Sequence, residues 1–115
     1  MVMAKQQKKA AMDYLLKTVF DQDDDSVLYK IFKHQFIVSP VDLVIMDDQT
    51  LGNLTYLDNA GNQPIPFGLL NLLKAFKAYI SHLQDKGVEI IDRDWVNISP
   101  DDFDKFRIGP DYEAL

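Results

Sequence analysis

Asp21, Asp23 and Asp25 stand at alternate positions, the spacing of the first three oxygen ligands of a calcium-binding loop. Such a loop also needs glycine at its sixth position for a sharp turn and a bidentate glutamate at its twelfth. Those positions hold Ser26 and Phe32, so the aspartates read as a solvated linker between helices. His34 and His82 are the two imidazoles. They lie far from any His-x-x-x-His pairing that would ligate a metal on one helix face, and neither has an orienting neighbour that would make it a useful base. Cysteine is absent, which excludes disulfides, thiolate nucleophiles and thiolate metal sites.

The segment Asp92-Arg93-Asp94-Trp95 offers a guanidinium fork of the kind that holds phosphate or carboxylate. The acids on both sides of Arg93 favour a surface turn instead, with Trp95 packed inward. There is no glycine-rich phosphate loop and no Gly-x-Ser-x-Gly elbow. An enzyme would need scattered carboxylates with Tyr14, Tyr29, Tyr56, Tyr79 or Tyr112. We therefore expect no catalytic residue, no cofactor site and no metal site. Lys74 and Lys77, with Asn71 one turn earlier, offer a modest basic stripe on the outer face of a helix, although an ordinary solvated helix face is the favoured reading of the same residues.

Those residues must be positioned by helices. Met12, Leu15, Leu16, Val19 and Phe20 recur at three- and four-residue steps and predict a helix from about Ala4 to Phe20. Lys5, Lys8 and Lys9 oppose the dipole at its start, so its first turns should fray. After the aspartate run, Asp25 or Ser26 caps a second helix through Val27, Leu28, Ile31 and Phe32, ending near His34 or Gln35. Ser39-Pro40-Val41-Asp42 and Ser99-Pro100-Asp101-Asp102 each place a capping serine, a proline at the first helical position and a carboxylate at the third. The first starts a helix through Leu43, Val44 and Met46; the second starts one through Phe103 and Phe106. A short helix capped by Asp47 or Asp48 precedes a turn-rich hairpin or loop at 56–66 around Asn59-Ala60-Gly61. The long central helix runs over 67–86, with Leu69, Leu72, Leu73, Phe76, Ile80 and Leu83 on one face and Gly87 just past its end. Residues 88–91 are expected to be extended.

The fold class expected is all-α: one domain over 1–115, a compact bundle of five to six helices, with 1–9 and 108–115 loosely ordered. An apolar fraction of 47% and a charged fraction of 26% suit a chain that folds without staples. The net charge of −6 disfavours nucleic-acid binding through broad phosphate neutralisation. No apolar run approaches the roughly 20 residues of a membrane span, and the N-terminus lacks the apolar core of a signal peptide. No membrane partner is expected, and the default location is intracellular, cytoplasmic or nuclear.

The helix order resembles the sterile alpha motif. The residues carrying the likeness are Leu28-Tyr29-Lys30-Ile31-Phe32-Lys33-His34-Gln35-Phe36, the stretch from Val41 to Leu54, and Gly68-Leu69-Leu70-Asn71-Leu72-Leu73-Lys74-Ala75-Phe76. Where that family opens its last helix with Gly-His-Arg, this chain has Gly68-Leu69-Leu70. As a whole the chain also resembles an N-terminal region of polyproteins of diatom copia-type retrotransposons. Both likenesses imply assembly in place of chemistry. For the sterile alpha motif, Asp42, Asp47 and Asp48 would form an acidic surface, and Asn71, Lys74 and Lys77 the complementary surface of another copy. Such a head-to-tail contact builds chains or rings. The expected function is a non-catalytic helical module that binds a protein partner or itself. The alternative is a gag-like, nucleic-acid-associated protein of a mobile element or virus, using the lysine-rich N-terminus and the long helix.

Overall fold

Helix starts in this chain are set by side chains that satisfy otherwise orphan amides. In the structure, a computed structural model describing residues 5–90 and 92–108, Ser26 Oγ accepts from the Tyr29 amide at 3.3 Å. Asp47 Oδ1 accepts from the Thr50 amide at 2.7 Å, and Ser99 Oγ from the Asp102 amide at 3.2 Å. Ser39 and Asp42 pair as a capping box with Pro40 inside the first turn. Asp42 Oδ2 there accepts from the amides of Val38 and Ser39 at 3.1 and 3.2 Å.

These caps open four of the six α-helices among the described residues: α2 (Val27–His34), α3 (Pro40–Val44), α4 (Asp48–Gly52) and α6 (Pro100–Ile108). The first, α1 (Lys5–Tyr14), begins inside the stretch expected to be loose, and the long one is α5 (Phe67–Asp85). The looseness expected of 1–4 and 109–115 lies outside the described residues, as do Tyr112 and the side chains of Asp92, Arg93 and Asp94.

Expectations change for the first helix and for the fold class. The single helix to Phe20 is α-helical only to Tyr14; Leu15–Val19 is a π-helical turn closed by the Phe20 amide on the Leu15 carbonyl at 2.8 Å. The domain is mainly helical but not purely so. Thr55–Asp58 (β1) and Gly61–Pro64 (β2) pair antiparallel, Tyr56 opposite Gln63 and Asp58 opposite Gly61. Asp58 Oδ1 receives the Ala60 amide at 2.8 Å, and Gly61, directly after the turn residues Asn59 and Ala60, takes a positive φ of 111° that glycine adopts without steric cost. Buried Leu54 and Ile65 close the base of the hairpin through a 2.9 Å backbone bond. Finally, Val88 to Ile90 form no strand, and Asp92–Asn97 is a 3-10 turn.

The core is aromatic. Phe76 and Phe103 are fully enclosed, meet edge-on at 5.9 Å, and are flanked by Phe20 at 5.3 Å from Phe76 and Tyr79 at 5.6 Å from Phe103. Trp95 packs on Phe76 at 6.4 Å, as its place in the return segment predicted. Each such ring pair adds about 0.5–1.5 kcal/mol beyond area burial. Tyr14 ties α1 to this end of the molecule by donating its hydroxyl to the Ile98 carbonyl at 2.6 Å.

Candidate functional site

The side chains assigned to an acidic and a basic surface are partly engaged within the chain. Asp42 and Asp47 are caps, each accepting backbone amides. The Thr50 backbone amide, then its hydroxyl, and then Lys77 hold the Asp47 carboxyl below its ordinary value. Lys77 reaches from α5 to donate to the Met46 carbonyl, and its ammonium stands 3.8 Å from Asp48 Oδ1. The expected acidic and basic sides thus meet inside one molecule, where they fasten the α3–α4 junction to the long helix. Asn71 and Lys74 lie half-buried on α5. Among the ligands considered for calcium, Asp21, Asp23 and Asp25 are exposed. Asp24 pairs with Lys17 at 3.3 Å, and that neighbour raises the lysine's pKa. Among the described residues no group of three or more His, Asp or Glu is placed to hold a metal. His34 is exposed, and the His82 ring stacks on Phe106 at 5.0 Å.

A different surface emerges beside α1 and α2. Lys8 and Met12 on α1 and Leu16 on the π-helical turn that continues it follow one another at four-residue steps, with Lys9 and Asp13 adjacent. Tyr29, Phe32 and Lys33 come from α2, and Phe36-Ile37-Val38 from the turn that follows. Together these residues line an open groove of about 500 Å³ with apolar walls. Its titratable groups are Lys8, Lys9, Lys33 and Asp13, and the Tyr29 phenol. Burial pushes that phenol above its ordinary pKa, and its oxygen has no hydrogen-bond partner although Asp24 and Lys17 act on it.

Asp21 and Phe36 are the non-glycine residues at positive φ among those described, both at 54°, and the bulky Phe36 is the one whose type does not suit it. After α2 the Phe36 amide bonds the Lys33 carbonyl at 3.4 Å and the Ile37 amide bonds the Phe32 carbonyl at 2.9 Å. This is the Schellman arrangement, whose turning residue sits in the left-handed region and is usually glycine. The same arrangement closes α5, with Gly87 to Gln84 at 3.0 Å and Val88 to Leu83 at 2.9 Å, and there the turning residue is glycine at φ 85°. At the end of α2 it is a phenylalanine at φ 54° whose ring is 85% exposed. Ile37 folds back onto Phe32, both buried, while Phe36 points outward.

Exposure of apolar side chains is concentrated here. Of the nine large apolar residues exposed among those described, Phe36, Val38, Val41 and Ile45 fall within ten residues of chain. Scattered exposed apolar residues are ordinary, but Phe36 and Val38 line the groove itself and extend its apolar wall to the surface, as a contact surface would. The signal in the sequence was present: Phe36-Ile37-Val38 is an apolar run placed directly after the expected end of the second helix. No protein-family model, curated protein or solved structure matches the chain.

Proposed function

We propose that this protein is a non-catalytic helical interaction module that docks another polypeptide on the groove between α1, α2 and the 36–38 turn. The observation carrying this reading is Phe36: a bulky ring held outward by a backbone conformation that a glycine adopts at the equivalent position of α5. Backbone strain of this kind costs on the order of 1 kcal/mol and persists where something other than folding needs it. The walls, Met12, Leu16, Phe32 and Ile37, are side chains that bind without reacting. Likeness to sterile alpha motifs and gag-like regions, which associate with themselves or with partners, supports the same class through helix order.

The reading shifts the contact from the Asp42, Asp47, Asp48, Asn71, Lys74 and Lys77 set to the groove, because Asp48 and Lys77 already face each other in one chain. Selection of peptides from a random library on the immobilised full chain tests it. Selected peptides should perturb the amide resonances of Met12, Phe32 and Phe36, and should lose binding to Phe36→Ser while that variant keeps its helical circular dichroism. A library that returns nothing, or peptides indifferent to Phe36→Ser, overturns it. An RNA or DNA oligonucleotide that binds in place of peptides at low salt, weakening linearly with log salt, favours the nucleic-acid alternative instead.

A further inference from the structure

Resting on that reading of the groove, we infer that its occupant is an acidic amphipathic helix. The chain carries a net −6, yet the groove is rimmed by Lys8 and Lys9 from α1 and Lys33 from α2, against the single carboxylate of Asp13. Among the described residues the ion pairs are Lys17–Asp24 and Lys77–Asp48, so the three rim lysines have no carboxylate of their own chain within salt-bridge distance. A local positive rim on an otherwise acidic protein attracts an acidic partner to this face, while the remaining surface repels it from others.

Backbone chemistry selects the helix. Two walls of the groove are helices whose amides and carbonyls are used within those helices, and in the turn that forms the third wall the amides of Phe36, Ile37 and Val38 are taken by the Lys33 carbonyl, the Phe32 carbonyl and the Asp42 carboxylate, so the groove offers an extended peptide no row of free amides. A segment laid against apolar walls must therefore satisfy its own peptide groups, which a helix does and a strand does not. Bulky apolar residues at positions i, i+3 or i+4, and i+7 of such a helix fill the space between Met12, Leu16, Phe32 and Ile37. Its acidic face then meets the lysines, and the exposed ring of Phe36 closes over one end.

Fluorescence anisotropy with three labelled synthetic peptides tests this on the full chain. All share the same leucine positions; one has a glutamate polar face, one a lysine polar face, and one is the glutamate peptide with a central proline. We expect the glutamate peptide to bind at least about tenfold tighter than the other two, since each exposed charge pair contributes a fraction of a decade to somewhat under one. The triple variant Lys8→Glu, Lys9→Glu, Lys33→Glu should reverse the preference between glutamate and lysine peptides, a result that a folding defect does not produce. Negative charge in the first turns of α1 suits the helix dipole and offsets the opposite effect of Lys33→Glu in the last turn of α2, so this variant should remain folded.

Equal binding of glutamate and lysine peptides overturns the acidic assignment while library-selected peptides still support docking. Equal binding of the proline peptide overturns the helix. Failure of every amphipathic peptide, when the library also returns nothing, overturns both the inference and the reading beneath it. Displacement of the glutamate peptide by phosphatidylserine vesicles or by an oligonucleotide, or a concentration-dependent mass in light scattering that the triple variant removes, assigns the groove to lipid, nucleic acid or a second copy and overturns the inference.

Discussion

Replacing Phe36 with glycine should make this protein more stable and less able to bind. At φ 54° the phenylalanine occupies a region that costs an L-residue about 1–2 kcal/mol and costs glycine nothing. Against that gain, glycine adds about 0.4–1 kcal/mol of unfolded-chain entropy. The ring is 85% exposed, so the burial lost is a small part of the roughly 1.5–3 kcal/mol that a fully buried phenylalanine contributes. The balance is a stabilisation of about 0.5 kcal/mol, equivalent to a Tm increase of about 2 °C in a domain of this size. The reverse change calibrates the backbone component: Gly87→Ala places a Cβ at φ 85° with no atom within 4 Å of it, so its expected loss of about 1 kcal/mol is conformational and not steric crowding. Phe36→Ala keeps the strained backbone, removes the ring, and should leave stability within about 0.5 kcal/mol of the parent. Urea denaturation of the three variants, alongside the peptide titration, reads both quantities. A Phe36→Gly variant destabilised by more than about 1 kcal/mol refutes the reasoning, because the ring would then be a structural element of the fold and not a surface held out for a partner.

The Tyr29 hydroxyl is buried without a hydrogen-bond partner, so Tyr29→Phe should raise stability by about 1 kcal/mol in urea titrations, the desolvation penalty of an unpaired polar group being about 1–3 kcal/mol. Tyr29 and Tyr79 both have phenols pushed up by burial, Tyr79 with help from Asp102. Folding therefore favours their neutral forms: their contribution is complete below the unfolded value of about 10 and is lost as pH rises through the higher native values. Denaturation midpoints measured from pH 8 to 11 should fall, and should fall less in the double phenylalanine variant. Asp47 behaves oppositely, since its depressed carboxyl supports the fold above the unfolded aspartate value of about 3.9 and loses that support as pH drops towards its native value. Asp47→Asn should flatten the acid limb of the same titration. Lys77→Met removes the bond to the Met46 carbonyl and should cost about 1–2 kcal/mol. Asp48→Asn removes an exposed ion-pair partner and should cost under about 0.5 kcal/mol by thermal melting.

What the sequence made legible was local. Ser26, Ser39-Pro40 and Ser99-Pro100 start helices where capping chemistry says they must, and Leu72, Phe76 and Ile80 face inward from a helix that Gly87 ends. Trp95 is buried as expected. What escaped was either long-range or against local preference. Nothing in periodicity pairs Lys77 with Asp48 across the chain, because that contact depends on how α4 lies against α5. The hairpin was legible as one of two alternatives, hairpin or loop, since strands of four residues with Asn62, Gln63 and Pro64 carry little alternation to decide between them. The π-helical turn at Leu15–Val19 has the same apolar spacing as an α-helix. Phe36 escaped because a helix end is sought through glycine, and here the left-handed residue is aromatic.

That last failure is itself informative about function. Natural chains place glycine at left-handed helix ends because it relieves strain at no steric cost, and this chain does so at the end of α5. At the end of α2 local preference and burial both argue against phenylalanine, and neither is compensated by a contact that the folded monomer makes with the ring, which is 85% exposed. A sequence usually agrees with its own fold at every level, and the positions where it does not are where another demand is being met. The groove beside Phe36 is apolar, its rim lysines lack carboxylate partners among the described residues, and the acidic and basic side chains first expected to join neighbouring copies partly satisfy one another internally. The unsatisfied chemistry of this molecule, apolar and positive, is gathered on one face, and a partner complementary to it must be apolar and negative.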